Sequence, residues 1–188
     1  MKLYLLRHEK RSLRDPTFHS PLLPKGLYDA NKLKYVLNDL DINLIFSSPF
    51  IRVLQTVKPY CDMKRMKVNI EHSIYEQVKE HHEVDTNFDR DNYRIDLMPS
   101  DKEYYLKNKC YKSYLPLSKI EWDDDGLWRI TNFIHHIIRK YKDTDRNIVI
   151  ACHGGLIATL LNRADTYPMG GLSLYFDGSR KVFKPINF

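Results

Sequence analysis

Four side chains able to handle an anion stand where the chain passes from apolar to polar. Leu3, Tyr4, Leu5 and Leu6 form a short apolar run that breaks into Arg7 and His8, with Glu9, Lys10 and Arg11 following at once. A second apolar run, residues 42–46, leads into Ser47-Ser48-Pro49, and Arg52 lies just beyond. A third, residues 147–152, ends at His153-Gly154-Gly155. Brought together, two guanidiniums and two imidazoles suit a phosphoryl group. Arginines bind its oxygens through paired N–H donors, and fixed cations stabilise the transferring charge without a metal.

These residues converge only if the apolar runs are parallel strands of one sheet. The carboxyl ends of such strands lie on one edge, where open α/β sheets bind ligands. The intervening sequence supplies the helices that parallel strands require. Two prolines and a glycine in residues 21–26 predict a turn, after which Leu27, Ala30, Leu33, Leu37 and Leu40 keep helical spacing. Ser48 as N-cap and Pro49 at the first helical position predict the start of a second helix, with Phe50, Val53, Leu54, Val57 and Cys61 as its buried stripe and Arg52 off that stripe. Its N-terminus itself favours an anion. Val68 and Ile70 alternate with polar residues in a short strand over 67–72.

Asp123, Asp124 and Asp125 precede Leu127, Ile130, Ile134, Ile137, Ile138 and Tyr141, the pattern of what should be the longest helix. A short helix over 156–162 follows the third apolar run. Residues 172–176 and 181–186 alternate around Asp177-Gly178 as a hairpin. The expected fold is α/β: a mostly parallel central sheet with helices on both faces, a three-layer sandwich. Residues 1–188 read as one domain. Within it, residues 79–122 keep no period, are rich in Tyr, Asp, Lys and Asn, and hold Pro99 and Pro116. They are expected to form an inserted cap or lid that selects substrate. Phe88, Tyr93, Tyr104, Tyr105, Tyr111 and Tyr114 could line an apolar pocket there, packing onto the core being the stronger expectation.

A chain of 188 residues that is 43% hydrophobic and 29% charged can bury a core of its own. Cys61, Cys110 and Cys152 are an odd set without metal-ligand spacing, which argues for a reducing, cytoplasmic setting. No stretch has the length of a membrane span or the pattern of a signal peptide. The net charge of +6 favours small anionic substrates. Its basic residues are scattered among acids, so nucleic-acid binding rests on charge alone.

The ordered motifs resemble those of the histidine phosphatase superfamily of the branch 1 type, also called phosphoglycerate mutase-like. Arg7-His8-Glu9 is similar to its Arg-His-Gly signature, residues 48–56 (Ser-Pro-Phe-Ile-Arg-Val-Leu-Gln-Thr) to Ser-Pro-x-x-Arg-x-x-Gln-Thr, and His153-Gly154-Gly155 to its second His-Gly. Residues 21–30 are similar to its Pro-Leu-x-x-x-Gly-x-x-x-Ala segment. The resemblance implies a metal-independent phosphatase, without a cofactor, that hydrolyses a phosphomonoester through a phosphohistidine on His8. The substrate would be a small phosphate ester or a phosphoprotein. Arg7, Arg52, His153 and Arg11 would bind the phosphoryl oxygens, and Glu76 would serve as proton donor, with Glu80, Glu83 and Asp85 as competitors. A neutral imidazole is a sound nucleophile near pH 7, and the surrounding cations would favour the neutral form.

Glu9 departs from the family's glycine and would place a carboxylate beside the phosphate pocket. It motivates a second reading, a non-catalytic phosphate- or phosphoprotein-binding module. A phosphoglycerate mutase-type phosphotransferase is a third, disfavoured because residues 73–82 lack an arginine-rich, tyrosine-containing segment. Cys152 beside His153 suggests a thiol phosphatase, but Ala158 stands where its arginine would be needed, which leaves Cys152 as strand filler. The His81-His82 and His135-His136 pairs lack the spacing of metal ligands.

Overall fold

The computed structural model describes residues 1–12, 14, 19–76, 105–115, 126–162, 168–174 and 184–186. Their elements run β1 (Lys2–Arg7), α1 (Pro24–Asp39), β2 (Leu44–Ser47), α2 (Ile51–Lys64), β3 (Asn69–Ile70), a 3₁₀ turn (His72–Ile74), α3 (Leu127–Tyr141), β4 (Asn147–Cys152), α4 (Gly154–Leu160), β5 (Leu172–Leu174) and β6 (Lys184–Ile186). Strand order is β3-β2-β4-β1-β5-β6. The first four are mutually parallel, whereas β5 runs antiparallel to β1, and β6 to β5.

Alternation along the strands divides the core between two faces. Tyr4, Leu6, Val149 and Ala151 pack with Leu33 and Leu37 of α1 and Val53, Leu54, Val57 and Tyr60 of α2. Leu3, Leu5, Ile148 and Ile150 pack on the other side with Ile130, Phe133, Ile134 and Ile137 of α3 and Leu156 and Ile157 of α4. Helices on both faces explain why β1 and β4 are apolar throughout: each successive side chain meets a helix. The three-layer α/β arrangement is the one the sequence predicts.

Several boundaries differ. α1 begins at Pro24, so Gly26 lies inside its first turn and not in a preceding loop, while Leu27 is exposed. The reason is contact: a Cβ on Gly26 would stand 2.2 Å from the Lys10 carbonyl oxygen. α2 begins at Ile51 with Phe50 as N-cap, not at Ser48-Pro49: the Ser48 hydroxyl meets His153 Nε2 at 2.8 Å and accepts the Phe50 N–H only at 3.5 Å. Arg52, read as lying off the buried stripe, is wholly buried. At 15 residues α3 is shorter than α1, which has 16. Asp123, Asp124 and Asp125 lie outside the described residues.

Of the segment 79–122, only 105–115 belongs to the described residues. This stretch lies along the sheet margin: Val68 and Lys107 form a parallel bridge, Asn108 N–H donates to the Val68 carbonyl at 2.7 Å, and Leu106 is buried in the core. Tyr111 packs edge-on against Phe46; Tyr114 lies near Phe133 and His136 but is exposed, as is Tyr105. Phe88, Tyr93 and Tyr104, like the His81-His82 pair and the turn at Asp177-Gly178, fall outside the described residues.

Candidate active site

Register alone brings the two histidines together. β1 and β4 pair in step from Lys2 with Asn147 to Arg7 with Cys152, so His8 and His153 emerge side by side beyond the strand ends. His8 N–H donates to the Cys152 carbonyl at 3.1 Å, and the two rings meet edge-on with centroids 5.4 Å apart. Next to them, β2 delivers Ser48, whose N–H donates to the Ala151 carbonyl at 3.0 Å, and the first turn of α2 delivers Arg52. The Arg52 guanidinium lies over the Phe50 ring, 4.5 Å from its centroid, and the same ring meets His153 edge-on.

Glu76 follows the 3₁₀ turn after β3 and enters from the third strand end. Its Oε2 is 3.1 Å from His153 Nδ1 and 3.8 Å from Arg52 Nη2. Arg7, half-buried, ends β1; Arg11 forms a bridge with Leu22 and donates to the Ser12 carbonyl. The structure therefore gathers His8, His153, Arg52 and Glu76 within contact distances, with Arg7 and Arg11 at the same edge. Glu80, Glu83 and Asp85 are outside the described residues.

Hydrogen bonds assign the imidazole protons. His8 Nδ1 is 2.7 Å from the Glu9 carbonyl oxygen, which can only accept, so Nδ1 carries the hydrogen and Nε2 keeps a lone pair. His153 Nδ1 faces the Glu76 carboxylate, and its Nε2 is 2.8 Å from Ser48 Oγ, so the serine hydroxyl donates to Nε2. Burial pushes the His8 pKa well below 6.5, and the charges of His153 and Arg52 push it the same way. Burial is thus the main cause, ahead of the cations to which the sequence points. His153 is pushed down to about 4, by burial and by Arg52 and Arg11 against the opposing pull of Glu76. Burial would raise the Glu76 carboxyl, but His153, Arg52 and His8 outweigh it and hold the group ionised, far below the usual carboxylate range. Burial also lowers the Arg7 pKa, Glu76 opposing and Arg11 reinforcing.

Glu9 does not enter the pocket. Its side chain, 8% exposed, is packed over Gly170: a Cβ on that glycine would fall 2.2 Å from Glu9 Oε1. Gly170 has φ +66, a region that suits glycine, and its N–H donates to the His8 carbonyl at 3.3 Å. The side chain therefore packs behind the loop that carries His8. Buried there, and near Asp29, its pKa rises to about 7, with the Lys10 N–H and Lys25 opposing.

The residues of the 48–56 motif tie the site's loops together, a function their spacing alone did not reveal. Thr56 Oγ1 accepts the Glu9 N–H at 2.9 Å and donates to the Arg52 carbonyl at 2.8 Å. The Gln55 side chain accepts the Leu22 N–H at 2.8 Å. Ser48 orients His153. Two further residues, Glu71 and Arg129, carried no signal in the sequence, since a single acid or base between apolar neighbours is usually a surface residue.

Candidate metal donors exist: one ligand atom each from His8, Glu76 and His153 lie within 4.8 Å of one another. The surroundings suit an anion better. Arg52 Nη2 is 3.8 Å from the Glu76 oxygen that would coordinate, a fixed positive charge beside the place a cation would take. Cys152 is buried on β4 with its thiol pKa raised by burial, as befits packing and not nucleophilic work. Of the other histidine pair, His135 is exposed and His136 half-buried on α3.

The fold is an α/β sandwich whose carboxyl edge gathers two histidines and several arginines. The model of the histidine phosphatase superfamily (branch 1) matches residues 3–175, and the chain belongs to that family. No curated protein matches it in sequence. Among solved structures, it resembles the ecdysone phosphate phosphatase of Bombyx mori in complex with tungstate, at TM-score 0.69 and 14% identity over 99% of this chain and 92% of that one. A mycobacterial glucosyl-3-phosphoglycerate phosphatase complexed with VO3 gives 0.64 and 16%, over 100% and 98%. The phosphoserine phosphatase of Entamoeba histolytica gives 0.60 and 15%, over 97% and 94%. At these identities the likeness establishes the fold.

Proposed function

We propose that this protein is a metal-independent phosphatase that hydrolyses a phosphomonoester through a phosphohistidine on His8. The observation that carries this reading is the pinned imidazole: Nδ1–H held by the Glu9 carbonyl, a lone pair on Nε2, and Arg52 and His153 beside it. Arg7, Arg52, Arg11 and His153 hold the phosphoryl oxygens. Nε2 attacks phosphorus in line, the P–O bond to the leaving group breaks, and its electron pair goes to the departing oxygen.

That oxygen takes a proton from Glu76. In the free protein Glu76 is held ionised by His153 and Arg52. A phosphoryl dianion that takes over Arg52 withdraws that support and adds negative charge beside the carboxyl, so the carboxyl acquires the proton it then donates. In the second half, Glu76 removes a proton from water, the oxygen attacks phosphorus, and the P–N pair returns to Nε2.

The structural neighbours are named for quite different phosphate esters, which supports the class of substrate and no single member of it. Catalysis in the cytoplasm is proposed from the three free cysteines. Among the described residues no helix is long and apolar enough to cross a membrane.

The test is hydrolysis of an aryl phosphate in EDTA by the native protein and by His8→Ala. Turnover by the native protein alone is the expected result. Phosphate binding without turnover in either would instead establish the binding module, and activity abolished by EDTA would establish a metal enzyme.

A further inference from the structure

Glu76 stands on a support that cannot hold itself. The preceding 3₁₀ turn has three residues, and the Tyr75 N–H to His72 carbonyl bond is long at 3.4 Å. A general acid must nevertheless lie within hydrogen-bond reach of the departing oxygen, and an error of about 1 Å can cost on the order of 100-fold.

Two buried charged residues supply the rigidity. Glu71 is fully buried and accepts five hydrogen bonds. Its Oε1 receives Ser73 N–H at 2.9 Å, Ser73 Oγ–H at 2.6 Å and Ser113 Oγ–H at 2.8 Å. Its Oε2 receives the Tyr111 hydroxyl at 2.5 Å and Tyr114 N–H at 2.9 Å. Ser113 Oγ in turn accepts His72 N–H at 3.0 Å. From the opposite side, Arg129 on α3 donates through Nη1 to the Ser73 carbonyl at 2.8 Å and the Tyr75 carbonyl at 3.4 Å. Its guanidinium also lies 3.6 Å from the centroid of the Tyr75 ring. Glu71 thus fixes the start of the turn, and Arg129 fixes its end, including the residue joined to Glu76.

We propose that Glu71 and Arg129 are positioning residues for the acid–base step, a clamp on residues 71–75 that sets where the Glu76 carboxyl stands. The inference rests on the reading of Glu76 as the proton donor. Burying both charges carries a desolvation cost that an apolar pair would avoid, and the clamp offers a reason for keeping them. The clamp also binds residues 111–114 to the site through Glu71. That part of the segment between β3 and α3 is therefore coupled to the acid.

The test compares an activated aryl phosphate, whose leaving group needs no proton, with a simple alkyl phosphate, whose leaving group does. Glu76→Gln should lose about 100-fold on the alkyl ester and about 3-fold on the aryl ester. Glu71→Gln and Arg129→Lys should show the same skew in weaker form, about 10-fold against 2-fold, after correction for folded fraction. Tyr111→Phe removes one donor from Glu71 while leaving the ring on Phe46, and serves if Glu71→Gln does not fold. If Glu76→Gln is skewed and the clamp variants lose both activities equally, the clamp is merely structural and the proposal is overturned. If Glu76→Gln itself shows no skew, the fault lies in the assignment of the acid, and the clamp loses its purpose with it.

Discussion

Replacing Glu9 by glutamine should stabilise the protein at alkaline pH and leave it nearly unchanged at acid pH. The carboxyl is 8% exposed, packed over Gly170, and its pKa is raised from 4.5 to about 7. A group whose folded pKa is raised contributes stability that is complete below the unfolded value and lost as pH rises through the folded one. Here the unfolded chain ionises above pH ~4.5 while the folded protein still holds the proton, so native stability declines until about pH 7 and then levels off. At 1.36 kcal/mol per pKa unit, the full shift corresponds to about 3 kcal/mol, of which about 2.5 kcal/mol falls between pH 5 and pH 8. Glutamine keeps an acceptor for the Lys10 N–H and has no charge to lose. Urea unfolding of both proteins at pH 5 and pH 8 reads the difference directly, and subtracting the two curves cancels every other titrating group. A variant whose advantage does not grow with pH would refute the placement of this carboxyl in a buried setting that disfavours its charge.

Other consequences follow from the same contacts. Gly26→Ala should lower the melting temperature and the activity, because its Cβ would meet the Lys10 carbonyl at 2.2 Å; in an ordinary helix the change would stabilise by up to about 1 kcal/mol, so a raised melting temperature would contradict the close approach. Ser48→Ala removes the donor to His153 Nε2, which should cost about 1 kcal/mol of stability and reduce kcat, with unchanged kcat as the contrary result. His8 and His153 have pKa values depressed chiefly by burial, so their imidazole NMR signals should keep neutral-form shifts at and below the pH where an ordinary histidine is half-protonated. A midpoint near 6.5 at either ring would refute the burial argument. Their contribution to stability is present above pH ~6.5 and falls as the pH drops below it, opposite in sign to that of Glu9. A thiol reagent should label Cys110 in the native protein and spare Cys61 and Cys152, both buried with raised thiol pKa values.

The strands that carry the site were readable because burial on both faces leaves them uniformly apolar. Residues 147–152 match β4 to the residue, and the charged break after Leu6 marks the end of β1. What local pattern could not show was where a side chain is spent. Ser48 had the type and spacing of an N-cap, yet its hydroxyl goes to His153, over a hundred positions away in sequence, and the helix starts later. Gly26 resembled a turn glycine because the approach of Lys10 depends on the pairing of Arg11 with Leu22. Glu9 was read as a neighbour of the phosphate pocket, but the turn before β5 offers its side chain a place behind the loop. Glu71 and Arg129 were invisible for a similar reason: each gains its role only when α3 and residues 111–114 meet the turn after β3.

The central claim is that His8 carries the phosphoryl group. It is tested most directly by mixing the protein with an aryl phosphate in EDTA, quenching in alkali to preserve an acid-labile phosphoramidate, and mapping the modified peptide by mass spectrometry. The account predicts a phosphoryl group on His8 Nε2 that is absent in His8→Ala. A His8→Ala protein that still turns over substrate, or a phosphoryl group on any other residue, would contradict it.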